Sequence, residues 1–481
     1  MSRQPNVVWL TLDSVRQDHT TMGGYDRETT PRIQEIADRP DGVAFSSCLA
    51  HARASATSVP SLLSGTCPSR HGTYYRESTA FPEELPLAAE LFREAGYRTV
   101  GVSNNEYAGS LTNTDRGFDQ FTLLGSSPTE ILRSAGLGNV LKFARNIRRH
   151  SVGFSTDTHA HSGAYLLTEI VKRELRRAEE PLFAYVHYNE PHRAYYPPMP
   201  YLDRYTEGIP MSGTEAAEIA MDIHHNLVEH IADGCDLTDE EWAALRAMYD
   251  AEIAYTDDRV GALYNWLQAE LGETVLAITA DHGELFGEDD MLAYKYSMHN
   301  AVLQVLMVLA GIEGLADEGL VQHADVLRTL LEVAGADTET VQGVDLRGQR
   351  REYAISQSPE DSLEPLLEHD PNYDTSQFPA EPYSVIQEKK FKYYQRTYRS
   401  RLHRLPNETE NIADEFPEKV EQFNRYLNEW LGTEGQQIGH AEAVSVDKAT
   451  RERRAELAYL DHKIGIQNIL DISSKLRWSR Y

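Results

Sequence analysis

Along the chain, short runs that are apolar at nearly every position alternate with longer stretches whose apolar residues recur every three or four positions. Residues 6–13 (N-V-V-W-L-T-L-D), 181–187 and 274–280 are runs of the first kind, and 96–103, of mixed composition, reads as a further short strand. Such runs suit strands buried on both faces of a parallel sheet, because a sheet with one wet face would alternate apolar and polar positions. Residues 85–95, 240–267 and 323–334 are of the second kind and predict helices. In the longest, Leu245, Met248, Ile253, Val260, Leu263 and Trp266 mark the buried stripe. Residues 302–309 read as a further strand. Helices alternating with strands in this way predict an α/β protein.

One stretch stands apart from this rhythm. Residues 51–72 read H-A-R-A-S-A-T-S-V-P-S-L-L-S-G-T-C-P-S-R-H-G, with Ser55, Thr57 and Ser58 entering an apolar turn built on Pro60, Leu62 and Leu63. Gly65 supplies a left-handed C-cap, so the stretch predicts one short helix. A hydroxyl at its start is either an ordinary N-cap or a group held where free N–H donors and the positive end of the dipole stabilise an oxyanion. The stretch alone leaves both open.

The remaining segments are more polar. Residues 126–180 predict an Arg-rich helical insertion in which His150, His159 and His161 are surface side chains, and 200–240 read as acidic and loop-rich. Residues 348–381 read as a connection, followed by short antiparallel strands near 383–386, 391–394 and 401–405 and a helix over 415–431. This divides the chain into an α/β domain at 1–350, a smaller α+β subdomain at 351–431, and a tail at 432–481 with a charged helical piece at 450–463. No internal repeat is visible.

Composition narrows the partners. The 481 residues exceed what one core accommodates. Asp+Glu number 75 against Lys+Arg 46, a net charge of −29, and lysine supplies only ten of the basic side chains. Acid excess with few lysines resembles the surfaces of proteins from salt-loving organisms. It argues against nucleic-acid and anionic-membrane partners, and an anionic substrate would need salt screening or local arginines. Cys48, Cys67 and Cys235 form no CxxC pair and read as reduced thiols. With no apolar run of about 18 residues and only a short polar lead before the first strand, the expected location is cytoplasmic.

Two of the apolar runs end in carboxylates, Asp13 and Asp281, the second followed by His282 and Gly283. Each ending could equally be turn chemistry. Together with Ser55 they offer ligands for one divalent cation, with the hydroxyl in its coordination sphere and its pKa lowered. A third strand, 181–187, runs into a loop carrying His192, while His187 reads as a core residue.

At this point the motifs resemble a family. Asn6 to Asp13 with Ser14-Val-Arg-Gln-Asp18, the Ser55…Ser64-Gly65…Pro68-Ser-Arg70-His-Gly72 block, Val186-His187…Pro191-His192, Tyr249-Asp-Ala-Glu-Ile…Asp257-Asp258, Asp281-His-Gly-Glu284 and Leu405-Pro-Asn-Glu-Thr-Glu-Asn-Ile-Ala413 occur in the order seen in the sulfatase family of the alkaline phosphatase superfamily. The resemblance implies an alkaline-phosphatase-like mixed sheet flanked by helices, with a smaller C-terminal α+β subdomain. It implies Asp13, Asp281 and His282 as metal ligands and Ser55 as the nucleophile in the same shell. It also implies His192 as acid to the leaving group, Lys295 and His299 as substrate contacts, and Arg70 beside the nucleophile's helix.

The departures from the family pattern bear on the chemistry. The Cys-x-Pro-x-Arg block that is converted to formylglycine reads Ser55-Ala-Thr57-Ser-Val59, without its Pro and Arg. The Gly-Lys-Trp-His segment is replaced around Ser103-Asn104-Asn105. Ser14 stands where many members carry a second aspartate, and His282 where calcium-type members carry Asn. One divalent ion is expected, Ca, Mn, Zn or Mg, and the imidazole favours the last three. The expected activity is hydrolysis of a small-molecule or glycan sulfate ester. The alternatives are a phosphodiesterase, phosphonate monoester hydrolase or phosphotransferase using unmodified Ser55, and an inactive relative that binds anionic glycans.

Overall fold

The computed structural model describes residues 4–72, 81–125, 127–152, 161–358, 362–378, 381–396 and 400–438. The first apolar run forms β1 (Asn6–Leu12), with all seven residues buried. Burial on both faces requires neighbours on both edges and cover above and below. The neighbours are β2 (Gly42–Ala44), β3 (Arg98–Ser103), β4 (Gln120–Leu123), β5 (Leu182–Tyr188), β6 (Thr274–Thr279) and β7 (Met307–Ala310). They make a mixed seven-stranded sheet in the order β2-β7-β6-β1-β5-β3-β4. β1 runs parallel to β5 and β6, β3 runs parallel to β4 and β5, and β7 is antiparallel to both β6 and β2.

Two groups of helices supply the cover. Ser55–Ser64, Ala88–Glu94 and His323–Ala334 contact one another in one group, and Pro31–Ala37, Ala164–Leu175, Gly213–His225 and Asp239–Glu270 form the other. The last is 32 residues long and starts where Thr238 and Glu241 cap each other reciprocally. The α/β architecture is as the sequence predicts. No helix among the described residues is long and apolar enough to cross a membrane.

Four local expectations are corrected. Residues 200–240 contain two helices, Gly213–His225 and Leu227–Ala232, the first opened by a capping box between Ser212 and Glu215. That S-x-x-E signal stands in the sequence, obscured by the acidic surroundings. The apolar run 302–309 is three pieces: a turn of helix at Asn300–Leu303, a two-residue pairing of Gln304–Val305 with Cys48–Leu49, and β7. The apolar side chains of all three are buried, so periodicity could not separate them. The connection at 348–381 holds β8 (Ala354–Ser358) and a short helix, Glu364–His369. His150 and His161 are buried rather than on the surface. The His150 ring stacks on Tyr165 at 4.1 Å, and His161 Nδ1 bonds Ser151. His159 and the helical piece at 450–463 lie outside the described residues.

β8 pairs with β9 (Tyr383–Gln387), β10 (Phe391–Gln395) and β11 (Arg401–Arg404) in an antiparallel sheet of that order. The helix Pro417–Gly432 covers one face through Phe423 and Leu427, which pack with Tyr393 and Leu402. Val385, Tyr383 and Tyr394 on this sheet pack with Leu49, Met298 and Leu303 of the first part of the chain. A buried ion pair reinforces this second contact. Lys392 Nζ lies 2.7 Å from Glu408 Oε2 and also donates to Met298 O and Asn300 Oδ1, while Asn300 N donates to Glu408 Oε1.

Substituting Glu408→Gln strands the Lys392 ammonium in the interior, and breaking such a pair costs about 3–5 kcal/mol. Urea unfolding of E408Q should show a loss of that order, and the double variant K392M/E408Q should recover part of it.

Candidate active site

The site forms where strand ends converge, as expected for a largely parallel sheet. β1 delivers Asp13, β6 delivers Asp281 and His282, β3 leads to Asn105, and His187 lies in β5 beside Thr11 of β1. Ser14, just past β1, has a left-handed backbone (φ 65), an arrangement that costs a non-glycine residue about 1–2 kcal/mol. Its hydroxyl donates to Asp13 Oδ1 at 2.8 Å and its N–H to Asp281 Oδ1 at 3.4 Å, tying the two strand ends together.

Ser55 enters from the helix. The N-cap is Ala54, which makes no side-chain capping bond, so Ser55 occupies the first turn and its hydroxyl is not the cap. Its Oγ lies 3.2 Å from Asp13 Oδ2 and 3.3 Å from His282 Nε2. Ser58 Oγ donates to the Asp281 carbonyl at 2.6 Å, which fixes the helix against the end of β6. At the other end Gly65 closes the helix with φ 65, where a Cβ would fall 2.6 Å from Val341.

Asp13 has no exposed surface, and burial alone would raise its pKa. His192, the hydrogen bond from His187 and the charge on His282 outweigh that and hold it well below the usual carboxylate range. Asn105 Nδ2 donates to Asp13 Oδ2 at 2.6 Å and His187 Nε2 approaches it at 3.4 Å. His187 Nδ1 faces Tyr185 OH at 2.9 Å. His282 Nδ1 lies 2.8 Å from Gly283 O, so it carries the proton and Nε2 is left facing Asp13 and Ser55. Burial disfavours a charged His282 imidazole, but Asp281 and Asp13 outweigh it and raise its pKa.

Asp281 decides whether these residues suit a cation. Oδ1 accepts from the His282 backbone N–H at 3.0 Å, while Oδ2 is buried with no hydrogen-bond partner. A buried carboxylate oxygen left unpaired is costly and is ordinarily matched by a donor or an ion. One donor atom each from Asp13, Asp281 and His282 lies within 4.8 Å of the others, the one group of this kind among the described residues. Two carboxylates and an imidazole match the donor chemistry of a divalent metal.

The other predicted residues divide. His192 is 4 % exposed, its ring 6.4 Å from that of His282 and 5.6 Å from Tyr294, and Nδ1 lies 2.9 Å from Arg193 O. Lys295 Nζ sits 5.0 Å over the Tyr294 ring, which in turn lies 4.9 Å from His282. Left-handed backbone at Ala293 (φ 61) and Tyr296 (φ 59) shapes the turn that carries both. Arg70 and His299 make their contacts elsewhere. Arg70 Nη1 donates to Glu434 O at 2.9 Å, and His299 caps the Asn300–Leu303 helix with Nε2 3.7 Å from Glu408.

Asn105, His187, Arg53, Arg193 and Tyr294 join this neighbourhood without having been predicted to. Arg53 is fully buried and donates to Tyr294 O at 2.8 Å. Arg193 lies 5.6 Å over the Tyr294 ring and donates to His224 at 3.2 Å. The acidic segment 200–240 thus brings a residue, His224, to the arginine beside His192.

The sequence matches the sulfatase family over residues 5–336. The chain belongs to the sulfatase family. It is therefore a hydrolase by family, and the alkaline-phosphatase-like architecture agrees. It is 23% identical over 350 residues to the uncharacterized sulfatase YidJ of Escherichia coli, covering 69% of this chain and 68% of that one. It is 24% identical over 365 residues to a choline-sulfatase of Rhizobium meliloti, covering 70% and 69%. Among solved structures, the phosphonate monoester hydrolase of Agrobacterium radiobacter superposes with a TM-score of 0.69 at 21% identity, over 89% of this chain and 96% of that one. A 2-O glycosaminoglycan sulfatase, BT1596, gives 0.65 at 18%, over 90% and 92%.

Because His282 must lose its Nε2 proton to accept a cation, and Asp281 and Asp13 raise its pKa, proton and metal compete. Metal affinity should therefore fall as pH drops through the His282 titration, with about one proton released per ion bound. Calorimetry in buffers of different ionisation enthalpy would measure this. Asp281→Asn should weaken binding at every pH, whereas His282→Ala should flatten the pH dependence.

Proposed function

We propose that this sulfatase-family protein hydrolyses a sulfate ester of a small molecule or glycan, with Ser55 as nucleophile. The observation that carries the reading is the position of the Ser55 hydroxyl, on the first turn of a helix and within 3.3 Å of both Asp13 and His282. Asp13, Asp281 and His282 would hold a divalent cation, with Ser55 adjacent. Such a cation, when bound, lowers the pKa of the hydroxyl and neutralises ester oxygens.

The chain's own residues do the rest. The Ser55 hydroxyl passes its proton to solvent water and its Oγ forms a bond to sulfur as the bond from sulfur to the leaving oxygen breaks. The free N–H donors and dipole at the helix start favour the charge that develops there. His192, oriented by its Nδ1 contact with the Arg193 carbonyl, would protonate the departing alcohol oxygen. Lys295, seated on Tyr294, and Arg193 on the same ring place positive charge beside the ester. Water then attacks the seryl ester, releasing sulfate and restoring Ser55.

A second reading has specific support. Residue 57 is Thr and residue 59 is Val where the formylglycine motif has Pro and Arg, and an unmodified serine suits phosphoryl transfer better than sulfate release. The phosphonate monoester hydrolase likeness makes phosphonate monoesters and phosphodiesters the competing substrates.

Turnover of 4-nitrophenyl sulfate, phenylphosphonate monoester and bis(4-nitrophenyl) phosphate, with the intact mass of the Ser55 peptide, separates the readings. Preference for the sulfate supports the proposal, and preference for a phosphorus ester with unmodified serine supports the second reading. Ser55→Ala should lower kcat by at least about a thousandfold on whichever ester is used. Retention of activity by S55A overturns both.

A further inference from the structure

One sequence motif takes no part in the chemistry above: Tyr249-Asp-Ala-Glu-Ile…Asp257-Asp258, on the long helix Asp239–Glu270. Three of its side chains reach one stretch of chain, residues 14–33, which follows β1. Asp257 accepts the Arg32 and Ile33 N–H groups at 2.9 Å each, at the start of the Pro31–Ala37 helix. Asp250 accepts from Tyr25 OH at 2.8 Å and from Arg27 Nη1 at 2.6 Å, and meets His19 Nδ1 at 2.8 Å. Tyr249 reaches closer to the site. Its OH donates to Ser14 O at 2.6 Å and accepts from Arg16 N at 3.0 Å.

A single phenol thus spans the turn at residues 14–16, where the backbone is least favourable. Ser14 holds φ 65, a conformation that glycine adopts readily and a residue with a Cβ does not. From it the Ser14 hydroxyl donates to Asp13 Oδ1 and the Ser14 N–H to Asp281 Oδ1. Rotation about φ swings the Cβ relative to the N–H, so this pair of bonds depends on the left-handed form. The phenol itself is held firmly. The buried Tyr249 ring packs edge to face with Phe286 at 5.0 Å, His19 at 5.2 Å and Tyr195 at 5.3 Å. Aromatic packing fixes the hydroxyl, the hydroxyl fixes the Ser14 backbone, and that backbone orients both carboxylates.

We propose that Tyr249 is a positioning residue for the cation shell, clamping Ser14 in its left-handed form so that Asp13 and Asp281 are presented as one pair of ligands. The inference rests on the shell of Asp13, Asp281 and His282 and is independent of which ester is cleaved. Tyr249→Phe keeps the ring and removes the hydroxyl. Groups that orient metal ligands are worth about 10–100-fold in affinity, so calorimetry on the metal-stripped full-length chain should show Mn²⁺ binding weakened about tenfold or more in Y249F. Ser14→Gly supplies a residue that accepts φ 65 without a clamp. Adding Y249F to S14G should therefore cost less than about threefold, because the two sites are coupled. Asp250→Asn is the control. It loosens the adjacent anchor, so it should lower Tm and leave Mn²⁺ affinity unchanged.

Unchanged Mn²⁺ affinity in Y249F overturns the clamp. So does the same fold-loss with and without S14G, or a loss in D250N as large as that in Y249F, since each marks a general loosening of the fold. If Y249F does not fold, folding of Y249F/S14G supports the clamp and failure of the double variant overturns it. The shell is judged apart, on the wild type. If that chain binds neither Mn²⁺ nor Zn²⁺, the shell fails and the inference with it, whereas wild-type binding matched by Y249F removes the clamp alone.

Discussion

The structure depends most on the pairing of two buried carboxylates, Asp13 and Asp281, held together at the end of a parallel sheet. Like charges at this range repel strongly in a low-dielectric interior, and Asp281 Oδ2 has no hydrogen-bond donor. Folding alone gives no reason to keep such a pair. Around it the protein has arranged His282, His187, Asn105, the Ser14 backbone and Ser55, whose hydrogen bonds engage the Asp13 oxygens and Asp281 Oδ1. What remains is a gap in compensation with the charge and donor set of a divalent cation. The parallel register of β1 between β5 and β6 places these groups in one locus, and the buried strand sequences follow from that register.

Much of this was legible in the sequence because chemistry and hydrophobic pattern coincided. Asp13 and Asp281 each terminate an uninterrupted apolar run, so reading the runs as buried parallel strands also located the carboxylates at the same edge. Ser55 was harder. A hydroxyl at a helix start is the usual cap, and only the geometry shows Ala54 in the capping position with the serine side chain turned to the carboxylates. His187 was hidden for the opposite reason. It lies within an apolar strand and reads as a core residue, and its contact with Asp13 depends on which residue of β1 it stands beside.

Long-range partners were the least legible. Arg53 is 241 positions from Tyr294 and 305 from Ser358, and no spacing rule relates them, yet two hydrogen bonds from one guanidinium join them. The C-terminal sheet is coupled to the rest in the same way. Glu408 belongs to a motif recognisable in sequence, but its partner Lys392 and the Asn300 amide are found only once the chain is folded. His299 illustrates the consequence. The resemblance marks it as a substrate contact, whereas its imidazole is turned to Glu408 and its role in the structure is to start the Asn300–Leu303 helix. Residues that bind substrate in a family and residues that hold its loops in place occupy the same short stretch, and sequence distance alone does not separate them.

Net charge imposes a further requirement. A chain at −29 repels the anionic esters its family cleaves, and salt largely screens exposed charges that lie beyond a Debye length of about 8–10 Å. Within that range of a reacting ester, the local charges decide. Lys295 and Arg193 share the Tyr294 ring, and Arg53 holds that residue's carbonyl. Ring contacts and a backbone acceptor help to hold these side chains in place. An acidic exterior and basic side chains close to the site are therefore compatible, because the distances over which they act are different.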